Sequence, residues 1–170
     1  MAGERCEGCG FVWDDVGPDE VPSRLATTTA GLIAILTSDG SSLGTRPAAG
    51  RWSTLKYCGH VRDVFLTIRE RIIAAMVLED ALGSAIHREE RVALGFYAAD
   101  TPSDLVDELA VASRLLGKAI EAIAPVDLDR TFTYSPVTPV RVTIRWAAAQ
   151  AVHEAEHHLS DIRDDLRRQG

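Results

Sequence analysis

Apolar residues recur with helical spacing in four long stretches of the chain. Between Pro22 and about Ser38 the series Leu25, Ala30, Leu32, Ile33, Leu36 predicts a first helix, with Ser38-Asp39-Gly40 as its stop. Residues 39–51 (DGSSLGTRPAAGR) form a turn-rich loop. Ser53 is a good N-cap for a second helix reaching about Asp80. Its stripe, Tyr57, Val61, Val64, Phe65, Ile68, Ile72, Ala75 and Met76, has the i, i+3, i+4, i+7 pattern of a core-facing helix. Residues 81–100 are mixed, with a short helical turn expected around Arg88–Phe96. Thr101-Pro102-Ser103-Asp104 caps a third helix, which runs to about Ala124 through Leu105, Leu109, Ala112, Leu116, Ile120 and Ile123. Three prolines and the β-favouring TFTYS exclude a helix from Pro125 to Pro139 and leave room for a short strand. A last helix is expected from about Thr143 to Arg168.

Four long amphipathic helices without a strong strand pattern predict an all-α fold, an up-down four-helix bundle. Residues 1–18 are polar and Gly-rich and are expected to be an irregular arm, with residues 19–170 as the single bundle domain. A chain of 170 residues with 46% hydrophobic residues can bury a sizeable core and is too apolar for disorder. Twenty-five Asp+Glu against 18 Lys+Arg give a net charge of −7, which argues against nucleic acid as a partner. No apolar run approaches the ~20 residues that span a bilayer, and the start MAGERCEGCG lacks the apolar core of a signal peptide. The expectation is a cytoplasmic protein without membrane contact. Only Lys56 and Lys118 are lysines, and the Arg and Ala enrichment suggests a high-GC genome.

Candidate chemistry lies in three cysteines and five histidines. Cys6 and Cys9 form C-x-x-C-G, half of a zinc knuckle or a redox pair, the plainer alternative being a reduced, partly exposed arm. Cys58 is read as a packing residue. His153 and His157 stand four apart on the last helix, so their rings share one face and can share a metal, with His60 from the second helix as a third ligand. Three imidazoles leave an ion with open positions, as catalysis requires. On a helical wheel, His158 falls inside the aliphatic stripe of the last helix. His153 and His157 fall opposite it beside Trp146 and Gln150, where solvated surface is the competing reading. Trp146 on that face implies a second covered surface. His87, in the polar SAIHREER, is expected at the surface.

The segments RWSTLKYCGHVRDV (51–64) and AVHEAEHHLSDIR (151–163) resemble the Trp-Ser…His and His-x-x-x-His segments of the DinB-like superfamily. This group includes bacillithiol transferase-like proteins and the mycothiol-dependent maleylpyruvate isomerase domain. The resemblance extends over residues 20–168 and implies a four-helix bundle, often homodimeric, holding a divalent metal (Zn, Ni or Mn) by three His. Carried over, the ligands are His60, His153 and His157. It also implies an enzyme that activates a low-molecular-weight thiol, mycothiol for a high-GC genome, for transfer to, or isomerisation of, an electrophile. Two features depart from the family. Lys56 stands where a Glu commonly closes the capping box, and the C-x-x-C arm is not general. The arm opens a rival arrangement in which Cys6 and Cys9 join His153 and His157 in a closed, structural Cys2His2 zinc. Asp161, Asp63 and Gln150 are the supporting residues expected around the ligands, Asp161 first because it lies four residues beyond His157. Glu154 and Glu156 fit a solvated face better. Two alternatives to a thiol transferase stand beside it: a metal-dependent hydrolase using the same open site, and a non-enzymatic, stress-associated metal-binding dimer.

Overall fold

The computed structural model describes residues 4–38, 43–135, 137 and 139–169. Helix α1 spans Val21–Leu36, α2 Thr54–Val77, α4 Pro102–Glu121 and α5 Ile144–Gln169, with a short α3 at Arg88–Ala93. Local chemistry sets these ends. Ser53 Oγ accepts from the Lys56 amide at 3.4 Å, and Thr101 Oγ1 from the Asp104 amide at 3.2 Å ahead of Pro102, so both caps satisfy an otherwise orphaned N–H. Of the stop expected for α1, Asp39-Gly40 lies outside the described residues. The strand-forming stretch pairs as an antiparallel ribbon of β1 (Thr131–Thr133) and β2 (Arg141–Thr143), with Phe132 opposite Val142. Helix α5 starts directly after β2.

Helix α1 packs against α4 and α5, and α2 packs against the same two. The consecutive helices α1 and α2 therefore face each other across a diagonal, as do α4 and α5. Residues 37–53 and 122–143 are long enough to make these crossings, and the β-ribbon lies within the second. The core is largely aliphatic, with Leu25, Leu32, Ile68, Leu105, Leu109, Leu116 and Ile162 fully buried around the ring of Phe65. At Gly31 on α1, an added Cβ would lie 2.9 Å from Leu159, so glycine sets how closely α1 and α5 approach.

Helix α5 is covered on two sides. Its face of Ala148, Ala151, Ala155 and Ile162 enters the bundle core. The N-terminal arm, steadied by a bridge between Arg5 and Val12, lies over the other side. There Trp13 stacks on Trp146 at 6.1 Å, nearly parallel, and Phe11 meets Trp13 edge-on at 5.4 Å. The irregular arm is thus the cover that Trp146 called for. Among the described residues no helix is long and apolar enough to cross a membrane.

Core packing outweighs capping in this framework. Phe65→Ala is expected to destabilise the fold by about 3–5 kcal/mol, and Ser53→Ala by about 1 kcal/mol. Equilibrium denaturant unfolding of both variants checks the ratio.

Candidate metal centre

Two side chains four residues apart on α5, Glu154 and His158, point toward α2, where His60 meets them. His60 Nε2 lies 3.4 Å from Glu154 Oε2, and His158 Nε2 lies 3.4 Å from the same oxygen. The two rings are 5.2 Å apart, near perpendicular. Both histidines are buried, and the Glu154 side chain is 20% exposed. Burial alone would raise the Glu154 pKa, but His158 and His60 beside it hold the carboxyl well below the usual carboxylate range. Burial works against the charged form of His158, yet Asp161 and Glu154 keep its pKa above the ordinary value.

These separations are long for charge-assisted hydrogen bonds, which close to about 2.7–2.9 Å. They match the spacing of two atoms bound tetrahedrally to one ion at ~2.0–2.1 Å, which is about 3.4 Å. His60 Nδ1 has no hydrogen-bond partner and is shut away from water. The donor set of two imidazoles and a carboxylate therefore fits a divalent metal, with coordination positions left over.

The surroundings orient each donor. Gln150 Nε2 donates to Glu154 Oε1 at 2.7 Å, while Gln150 Oε1 accepts from Trp13 Nε1 at 2.7 Å. Asp161 Oδ2 lies 3.5 Å from His158 Nδ1, which leaves Nε2 free to face Glu154 and His60. Arg51 in turn grips Asp161 and Asp165, each at 3.0 Å. Tyr57 backs His158 at 5.0 Å, and Trp52 meets His60 edge-on at 5.5 Å.

The cluster opens on a cavity of about 460 Å³. Its walls include His60, Glu154, Gln150, Ile68, Arg71 and Tyr134, with Ile86 and His87 from the segment before α3 and Arg88 at its start. Buried Arg71 donates to the Ser84 carbonyl at 3.0 Å and lies 4.1 Å over the Tyr134 ring. Burial pushes the Tyr134 hydroxyl up to about 12, so the phenol stays neutral and able to donate. His87 is exposed, as expected, in a left-handed conformation at φ 50°.

The expected residues are thus distributed over two groups. His60 stands with Glu154 and His158, while His153 and His157 stand with Cys6 and Cys9. The physical reason is the rotation of α5, which turns the 154/158 face toward α2 and the 153/157 face toward the arm. Glu154, expected on a solvated face, is at the centre of the first group. His158 in the apolar stripe was the available signal, because that stripe faces the interior reached by His60. Gln150 and Asp161 do support the cluster. Asp63 does not: it accepts from Arg91 at 2.5 Å, Tyr97 at 3.0 Å and Arg62 at 3.0 Å, tying α2 to the segment 81–100. Gly59 makes that contact possible, since a Cβ there would come within 2.8 Å of Tyr97 and Asp100. Cys58 is fully buried among apolar groups, its thiol pushed up to about 12, consistent with packing.

The DinB superfamily model matches residues 19–162. Among solved structures, YfiT from Bacillus subtilis, described as a probable metal-dependent hydrolase with an unusual four-helix bundle topology, is similar with a TM-score of 0.80 and 20% identity. The match covers 90% of this chain and 87% of that one. No curated protein matches.

Glu154→Ala and His158→Ala are each expected to abolish divalent-ion binding at this cluster, and Asp161→Asn to weaken it about 10–100-fold. Asp63→Asn should lower stability without changing metal affinity. Titration calorimetry with zinc, alongside thermal melts, checks the contrast.

Proposed function

The chain belongs to the DinB superfamily, and on that premise we propose that it is a metal-dependent enzyme, a thiol S-transferase or isomerase with a mycothiol-type co-substrate. The observation that carries the reading is the His60–Glu154–His158 group, of which His60 and Glu154 line the 460 Å³ cavity. When bound there, a divalent ion supplies Lewis acidity that makes a thiol or water nucleophilic at neutral pH. Zinc suits the donors best, with nickel or manganese as the other candidates.

The chain's own residues define what else the site does. Gln150 fixes one Glu154 oxygen and leaves the other facing the two imidazoles. Asp161 Oδ2 stands 3.5 Å from His158 Nδ1 and places a negative charge beside that ring. Arg71 and Arg88 place cationic groups in a wall that also carries Glu90 and Glu154, so the cavity has mixed charge. Val64, Ile68 and Ile86 supply apolar wall and limit water around the reacting atoms. Hydrolysis is the second reading, favoured by the His2Glu donor set, which recurs in zinc hydrolases that activate water.

Zinc-loaded protein incubated with mycothiol and monochlorobimane should conjugate them well above background, with His158→Ala and chelator-treated protein falling to the uncatalysed rate. Thiol-independent turnover of simple esters or amides by the loaded protein would favour hydrolysis. Equal rates with and without metal would overturn both.

A further inference from the structure

The cysteine arm and the outer face of α5 form a second constellation that the catalytic reading leaves unused. Cys6 and Cys9 flank a tight turn in which the Cys6 amide donates to the Phe11 carbonyl and the Gly10 amide to the Cys6 carbonyl, both at 2.8 Å. Gly10 sits at φ +76°, a left-handed conformation that favours glycine. Gly8 lets the turn settle on α5, since a Cβ there would stand 3.1 Å from His157 Cε1. The turn therefore presents two thiols to His153 and His157, whose rings are 5.4 Å apart one helical turn from each other.

Cys6 Sγ lies 4.0 Å from His157 Nδ1, and one ligand atom from each of the four residues falls within 4.8 Å of all the others. Tetrahedral zinc with bonds of ~2.3 Å to sulfur and ~2.0–2.1 Å to nitrogen needs ligand separations of about 3.4–3.8 Å, so a slight contraction closes the shell. His153 supplies an independent sign. Both its ring nitrogens are buried without a hydrogen-bond partner, among the rings of Phe11 at 5.1 Å and Trp13 at 4.6 Å. A buried polar ring with neither nitrogen satisfied is costly, and a metal bond removes part of that cost.

We propose that Cys6, Cys9, His153 and His157 bind a second zinc ion in a closed tetrahedral site that fastens the N-terminal arm to α5. Four protein ligands leave no open position, so this ion is structural. Its effect reaches the cavity by two routes. The fastened arm holds Trp13, whose indole N–H fixes Gln150. His157 Nε2 lies 3.4 Å from Asp161 Oδ2, the same oxygen that faces His158.

The test uses the full chain, purified with reductant and loaded with zinc or cobalt. Elemental analysis should find about two ions per chain, about one in a Cys6→Ser/Cys9→Ser double variant and about one in His60→Ala. Cobalt-loaded wild type and His60→Ala should both show thiolate-to-cobalt charge-transfer absorption, and the double variant should not. Because the His60→Ala readout depends only on the cysteine site, the two sites succeed or fail separately. If the double variant does not fold, cobalt titration of the wild type decides alone. Absence of the charge-transfer band in cobalt-loaded wild type, or an unchanged ion count in the folded double variant, overturns the proposal. So does a Cys6–Cys9 disulfide that persists after reduction and zinc addition.

Discussion

A carboxylate buried between two imidazoles, each donated by a different helix, is the constraint around which the molecule is arranged. Glu154 would pay several kcal/mol for leaving water unpaired. His60 and His158 offset that penalty only if α2 and α5 keep their mutual rotation. The supports described above secure it from outside the bundle. Trp13 holds Gln150, which holds Glu154; Arg51 holds Asp161, which faces His158. The arm and the loop before α2 thus participate in positioning residues that neither of them contains.

The connectivity serves the same end. Because α1 and α2 lie on a diagonal, α2 is free to take α5 as its neighbour, which brings His60 to the 154/158 face. The segment between α2 and α4 then folds back on α2. Asp63 anchors it through Arg91 and Tyr97, and Gly59 gives it room one residue before His60. Ile86, His87 and Arg88 become one wall of the cavity in consequence. An acid first considered for its closeness to the site shapes the site at one remove.

The helices were legible because each carries its own local signals. Ser53 and Thr101-Pro102 mark starts, and the stripes of α2 and α4 identify the buried faces residue by residue. The first strand of the β-ribbon was visible as the β-favouring TFTYS in a stretch unfit for helix, and its partner was not. The site was harder to read for a geometric reason. Helix α5 carries two pairs at the same four-residue spacing, 153/157 and 154/158, and spacing does not say which pair looks at α2. The wheel held the answer in placing His158 inside the aliphatic stripe, but an i, i+4 pair of identical residues drew more weight than a Glu and a His. The packing of the arm left only an indirect trace, in Trp146 on the outer face of α5 and in the C-x-x-C pair, since Phe11 and Trp13 belong to no periodic pattern.

The separation of 94 positions between His60 and Glu154 also bears on biosynthesis. His60 on α2 leaves the ribosome long before Glu154 and His158 on α5. A chain halted anywhere before residue 154 carries one imidazole of the three-part set and no means of retaining an ion there. An ion held by all three residues can therefore be acquired only after residue 158 is made and α5 has docked on α2.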